Sequence, residues 1–308
     1  EEIAAGDGAT STIISVNNSV VCGPILAFGT EAQKEQFLKP LASGEKLGCF
    51  CLTEPHVGSD AAAIRTSAAR DGNEWVLNGV KQFITTGKHA QVALVFAKTA
   101  PEAGSAGITA FIVPTDTPGY TVSRIESKMG QHASDTCQIV LDDARLPASL
   151  RLGEEGQGYR IALANLEGGR IGIGAQAVGI AQAAFDAAFA YARERVTFGK
   201  PIIEHQAIAF MLADMATKIE VSRQMYLYAA RLKDEGIACI KEASMAKLQA
   251  AQMVEEVTSA AIQIHGGYGF LNSSPVEKYW RDARVFQIYD GTNEVQRLLI
   301  ARELAAGR

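Results

Sequence analysis

The chain has 308 residues, 47% hydrophobic and 20% charged, with 34 acids against 29 bases for a net charge of −5. That is ordinary globular composition and enough chain for two domains. The acidic balance argues against nucleic acid as a partner, although a local basic pocket for a phosphorylated ligand stays open.

Residues 1–46 read as helical, with small apolar residues through Ile13, Ile14, Val16, Val20 and Val21. The opening Glu1-Glu2-Ile3-Ala4-Ala5 looks like a helix entered mid-pattern, so an incomplete N-terminal helical domain is expected. Thr30-Glu31-Ala32-Gln33 fits a capping box that starts a second helix, with Pro40 and Gly44 ending it. No run approaches the ~20 apolar residues of a membrane span, and no signal peptide is visible. Five cysteines (Cys22, Cys49, Cys51, Cys137, Cys239) are odd in number and scattered. They read as buried thiols in a reducing compartment. Cys49 and Cys51 share a strand face, but further ligands for a metal are lacking and none is expected.

Residues 47–157 switch to period two. Trp75-Val76-Leu77, Asn78-Gly79 and Val80-Lys81-Gln82-Phe83-Ile84 read as a hairpin with a tight primed turn. Val92–Ala97 and Ile108–Val113 look like strands buried on both faces, and Tyr120–Val122 and Cys137–Leu141 are two more. A compact β-barrel or sandwich is expected. From 158 to 308 the period is helical. Met211, Met215, Ile219, Tyr226 and Ala229 form one stripe; Ala243, Ala246, Ala250, Met253, Val257, Ala261 and Ile264 form another, stopped by Gly266-Gly267. This predicts an antiparallel four-helix bundle and an α+β chain. Gly168-Gly169-Arg170-Ile171-Gly172-Ile173-Gly174 lacks the spacing of a dinucleotide fingerprint and belongs to a helix.

Five segments carry chemistry. They are Cys51-Leu52-Thr53-Glu54-Pro55-His56-Val57-Gly58-Ser59-Asp60; Gln82-Phe83-Ile84-Thr85; Arg195-Val196-Thr197-Phe198-Gly199-Lys200-Pro201 with His205-Gln206; Gln263-Ile264-His265-Gly266-Gly267-Tyr268-Gly269; and Tyr289-Asp290-Gly291-Thr292-Asn293-Glu294. Taken singly, each has a plain structural reading: a Pro-Gly turn, a core aromatic, a solvated arginine, a helix stop with a core histidine, an N-cap. Together, and in this order, they resemble the acyl-CoA dehydrogenase family, flavoenzymes that oxidise fatty acyl thioesters, and its short- and medium-chain-like branch in particular.

The resemblance implies FAD as cofactor, an acyl-CoA substrate, a homotetramer and an electron-transfer flavoprotein as acceptor. It places such a protein in the bacterial cytoplasm, or in the mitochondrial matrix if eukaryotic. By resemblance Thr53 and Thr85 meet the flavin edge, Phe83 takes the position of the usual tryptophan on the ring, and Ser59 touches the flavin phosphates or the CoA arm. Arg195 and Gln206, in a segment with Phe198, reach the pyrophosphate and adenosine end of FAD in a neighbouring subunit, where an arginine suits paired phosphate oxygens; the segment of Gln263 and Gly267 also approaches FAD. Thr292 and Glu294 also fall on the cofactor; Glu167, Arg170, Tyr289 and Gly291 fall on the substrate. Asp290 stands where the family's base removes the α-proton, its backbone N–H and the flavin ribityl hydroxyl holding the thioester oxygen while hydride passes to flavin N5.

The family usually carries glutamate at that position. Aspartate withdraws the carboxylate by ~1.5 Å, and a misplacement of ~1 Å can cost a hundredfold in rate. The backbone could shift, the substrate could be branched or cyclic, or another carboxylate could serve. Some members place the base one position before the arginine matching Arg170, but here that position is Gly169. Nitroalkane oxidase, a relative on this fold, uses aspartate, so a flavin oxidase is one rival reading. A catalytically silent CoA-ester-binding homologue is the other.

Overall fold

The computed structural model describes residues 1–307, and the side chains of residues 165–167 lie outside that description. Two units emerge: one of Ile13–Ser127 with Ala133–Leu166, built on a sheet, and one of Glu1–Thr12, Lys128–His132 and Glu167–Arg308, built of helices.

The sheet unit has eight strands: β1 (Gly48–Cys51), β2 (Ser67–Asp71), β3 (Glu74–Thr85), β4 (Val92–Lys98), β5 (Ile108–Pro114), β6 (Tyr120–Ile125), β7 (Thr136–Pro147) and β8 (Arg151–Leu152). They lie in the order β6-β7-β3-β2-β4-β5-β8, with β1 beside β4. β4 and β5 are covered on both faces, which is why their sequences are unbroken apolar runs. Val92, Leu94 and Phe96 pack against the helical residues Val21, Ile25, Phe37 and Leu41. Ala93, Val95 and Ala97 face the opposite way, into a cluster with Trp75, Leu77, Phe111 and Ile139. Each large apolar side chain so enclosed contributes about 1.5–3 kcal/mol. The inner cluster draws on β1, β3, β4, β5 and β7, so the sheet curls about a core of its own in the manner of a barrel.

The expected hairpin at Asn78-Gly79 is not the turn. β3 runs unbroken through both residues and pairs with β2 from Asp71↔Glu74 onward, so Gly72-Asn73 makes the two-residue connection. Gly72 takes φ +59 there, the conformation a tight hairpin demands of its first central residue. Gly79 instead marks a bulge: the β3–β7 register shifts between Leu77 and Gly79. A Cβ at that position would stand 2.7 Å from Thr66 Cα, so the glycine answers a close approach of backbone and not a turn.

Among the N-terminal helices, Thr30 caps as expected: its side chain accepts the Gln33 N–H and the Gln33 side chain accepts the Thr30 N–H. Pro40 does not end that helix, which continues to Ala42. The residue before it, Lys39, donates its N–H five residues back to Lys34, and Gly23, before Pro24, does the same to Asn18. Each proline thus falls just after a wide turn, where the ladder re-phases and its missing N–H costs least.

Two helical stretches, Gly8–Phe28 and Gly158–Glu194, have the length and composition of a membrane span, which amends the sequence reading that none approaches it. Of their apolar windows 44% and 56% are buried in protein, so packing against a core accounts for the composition. The helical unit centres on Gln206–Asp234, Ile240–His265, Asn293–Ala305 and the later turns of Gly158–Glu194, with the shorter Pro275–Ala283. Both predicted stripes are inward: Met215, Ile219 and Tyr226 share one core with Ala246, Ala250, Met253, Val257, Ala261 and Ile264. The glycine-rich 168–174 segment lies within the long helix, as expected.

Candidate active site

In the helical unit, residues 288–292 lead into the helix Asn293–Ala305, and Thr292 caps it by accepting the Val295 N–H at 3.3 Å. The cap is therefore Thr292 and not Asp290. Asp290 and Gly291 are both left-handed, with φ +52 and +84. For aspartate that conformation costs on the order of 1 kcal/mol and persists only where surroundings enforce it. Two wholly buried side chains do so. Gln296 Nε2 donates to the Gly291 carbonyl at 2.8 Å and to the Asp290 carbonyl at 3.3 Å. Lys247 Nζ donates to the Gly291 carbonyl at 2.9 Å and to Asn293 Oδ1 at 3.4 Å. A side chain at 291 would begin 2.7 Å from Gln296 Nε2, so glycine is required.

Asp290 is half-buried. Burial pushes its carboxyl above the ordinary value of 3.8, and the charges of Lys247 and Arg170 pull the other way without overcoming it. Among the described residues no acceptor takes the Asp290 backbone N–H. Arg170 is buried on its helix. Tyr289 packs edge-on against Phe286, ring centres 5.3 Å apart; its hydroxyl faces the side chains of Gln131 and Thr12. Asp290, Gly291, Tyr289 and Arg170 thus belong to one neighbourhood, while the side chain of Glu167 lies outside the described residues.

A second feature of this unit is a cavity of about 620 Å³ lined by Tyr191, Arg195, Phe198, His265, Gly267 and Tyr268, among others. Arg195 sits over the Tyr268 ring at 5.9 Å, and His265 stacks on Tyr191 at 4.4 Å with its Nδ1 bonded to the Ala261 carbonyl, a satisfied histidine. Phe198 is 97% exposed and left-handed, with φ +51. Gln206 and Gln263 are exposed and do not line the cavity. Glu294 is exposed and pairs with Arg297 at 3.4 Å.

In the sheet unit the Thr53 carbonyl accepts the Gln82 N–H at 2.8 Å, so the first and second motifs lie side by side. Glu54 and Val57 exchange backbone hydrogen bonds at 3.0 and 3.1 Å, closing the expected Pro-Gly turn. Ser59 is exposed and Thr53 and Thr85 half-buried. Phe83 is 64% exposed with φ +58, where β3 slips register against β7 between Lys81 and Ile84. An aromatic face turned outward from a strained strand suits a flat, apolar ligand.

Models of the acyl-CoA dehydrogenase N-terminal, middle and C-terminal domains match residues 1–45, 49–144 and 156–305. The chain belongs to the acyl-CoA dehydrogenase family. An acyl-CoA dehydrogenase of Bacillus subtilis is 50% identical over 99% of this chain and 81% of its own length. Butyryl-CoA dehydrogenase from Megasphaera elsdenii superposes with a TM-score of 0.97 at 46% identity, covering 99% of this chain and 80% of that one. A Mycobacterium smegmatis glutaryl-CoA dehydrogenase in complex with FADH2 gives a TM-score of 0.93 at 35% identity, covering 98% and 77%.

Sequence reasoning missed the residues beneath these acyl-CoA dehydrogenase motifs. Glu54, inside the first motif, is buried and accepts hydrogen bonds from Arg65 N at 2.7 Å, Thr66 N at 3.0 Å, Thr66 Oγ1 at 2.5 Å and Lys81 Nζ at 2.8 Å. Lys81 is wholly enclosed and also donates to the Leu52 carbonyl at 3.2 Å. Burial drives the Lys81 pKa down against the pull of Glu54; burial raises Glu54 too, but Lys81 and the hydrogen bonds carry it net below 4.5. The available signal was position. Lys81 falls in period-two step with the inward Trp75 and Leu77 of β3, and Lys247 falls inside the alanine stripe at four residues from Ala243 and three from Ala250.

Proposed function

We propose that this chain catalyses the α,β-dehydrogenation of a short acyl-CoA thioester to its 2-enoyl-CoA, with FAD as cofactor and Asp290 as the base. The observation that carries the reading is Asp290 itself: a half-buried carboxyl of raised pKa on a strained, clamped turn, its own N–H unused. A raised carboxyl is matched to taking a weakly acidic proton near neutral pH. The open N–H suits the thioester oxygen as charge develops there, which acidifies the α-carbon. Arg170, charged at any working pH, favours the ionised form that can accept the proton.

The residues present fit FAD: an exposed, strained aromatic at Phe83 and an aromatic-walled cavity holding Arg195 are what a flat ring and a pyrophosphate ask for. When bound, FAD accepts the hydride from the β-carbon at N5. Thr53, Phe83 and Thr85 are assigned to its ring end and Ser59 to its phosphates; Arg195, Phe198, Gln206, Gln263 and Gly267, with Thr292 and Glu294, to the rest, in part across copies of a homotetramer. Ser59, Glu167, Arg170, Tyr289 and Gly291 are assigned to the substrate. The short acyl chain follows the butyryl-CoA dehydrogenase relative, and an electron-transfer flavoprotein is the proposed acceptor. The proposed division is 1–46, 47–157 and 158–308. Anaerobic mixing with butyryl-CoA tests the reading. Flavin bleaching with crotonyl-CoA formation supports it, binding without bleaching contradicts it, and rapid peroxide formation in air marks an oxidase instead.

A further inference from the structure

Lys247 is the least expected residue of the helical unit. Its neighbours on the inward face of the helix Ile240–His265 are Ala243, Ser244, Ala250 and Ala251, all fully buried. A methionine of similar length would fill the same space without charge. An enclosed ammonium is costly unless something repays its lost hydration. Here the compensation lies in one place, the Gly291 carbonyl at 2.9 Å and Asn293 Oδ1 at 3.4 Å, on either side of the cap residue and immediately after Asp290. The groups that face the ammonium are Asp290 and Glu294 from the C-terminal segment and Arg170 from the long helix. The arginine repels it and the two carboxylates attract it.

We propose that Lys247 is a positioning residue for the base: it fixes the left-handed Asp290–Gly291 turn through the Gly291 carbonyl and supplies a buried positive charge that keeps the Asp290 carboxylate ionised. This rests on Asp290 being the base. Gln296 shares the mechanical part, since it donates to the same carbonyl, but it is neutral. The charge is the part that Lys247 alone adds from the helix Ile240–His265.

The test compares Lys247→Met and Lys247→Gln with the native holoenzyme in stopped-flow flavin reduction by butyryl-CoA across pH. Removing an opposite charge at close range raises a carboxyl pKa by about one unit or more. The acid limb of the rate should therefore move upward by about that amount in both variants, with FAD content retained and substrate affinity little changed. Lys247→Gln should keep more of the rate plateau, because its amide can still donate to Gly291. An unmoved acid limb in a folded variant overturns the proposal and leaves Lys247 a packing residue. Asp290→Asn separates the two readings. If it still reduces flavin, the base assignment fails; if it does not, an unmoved limb counts against Lys247 alone.

Discussion

Replacing Lys81 by methionine strips the enclosed ammonium from the first motif's Glu54 and leaves that carboxylate with the Arg65 and Thr66 donors and the His56 ring at 3.7 Å. Both partners are buried, at 0% and 2% side-chain exposure, so solvent cannot take over. Breaking such a pair from one side costs about 3–5 kcal/mol. At roughly 2–4 °C per kcal/mol for a unit of this size, the melting temperature should fall by about 6–20 °C. The loss should shrink on acidification. Glu54 has a folded pKa held below its ordinary 4.5, so in the native protein its contribution is present above that value and vanishes as pH falls through the folded one; without Lys81 the folded pKa rises, so the variant's unpaired carboxylate is neutralised at higher pH and the two proteins converge as pH falls. Because Glu54 follows Thr53 directly, FAD content should drop together with stability. The double variant Glu54→Gln/Lys81→Met should be less destabilised than Lys81→Met, since no buried charge is left alone. Thermal melts and flavin absorbance of the purified variants decide it. A Lys81→Met protein melting within about 2 °C of native, with full FAD, would refute the reasoning.

Other outcomes follow from the same geometry. Asp290→Glu reaches ~1.5 Å farther on a turn that Lys247 and Gln296 prevent from retreating. It should change the ratio of reduction rates on straight and branched acyl-CoAs by about tenfold or more, and an unchanged ratio contradicts this. Phe83→Gly should relieve about 1 kcal/mol of left-handed strain yet weaken FAD retention, as read by apoprotein melting and flavin titration. Gly79→Ala should cost about 1–3 kcal/mol, because the added carbon meets the Thr66 backbone; urea unfolding measures it. For Lys247 the pKa falls from 10.5 to about 8. The unfolded chain holds that proton to higher pH than the folded one, so stability rises between about 8 and 10.5 and a cost of about 3 kcal/mol stands below that window. The rise should be missing in Lys247→Met when unfolding is measured at both ends.

The sequence was most legible where the governing interactions are local. The Thr30 capping box needs only residues three apart, and the alanine stripe of 243–264 needs only a helical period; both appear as read. The strands 92–97 and 108–113 declared two-sided burial by having no polar alternation. The hairpin was misjudged because two turn-like dipeptides, Asp71-Gly72 and Asn78-Gly79, stand close together. Only the pairing of β3 with β7 and the approach of Thr66 make the second a bulge. Pro40 was misread as a stop because a wide turn ahead of it absorbs the missing donor. The motif residues of the candidate site were visible one by one, but Lys81 and Lys247 were not. A lysine in an apolar pattern reads as a solvated edge until a partner distant in sequence, Glu54 or the Gly291 carbonyl, is brought to its ammonium.

The proposed mechanism gives the α-proton to the Asp290 carboxyl. Asp290→Asn keeps the side chain's shape and leaves the backbone turn its Gln296 and Lys247 donors, so FAD and butyryl-CoA should still bind. Anaerobic stopped-flow mixing of that variant with butyryl-CoA should give no bleaching of the flavin on the time scale of the native enzyme. Bleaching at the native rate would contradict the claim and send the search for the base elsewhere.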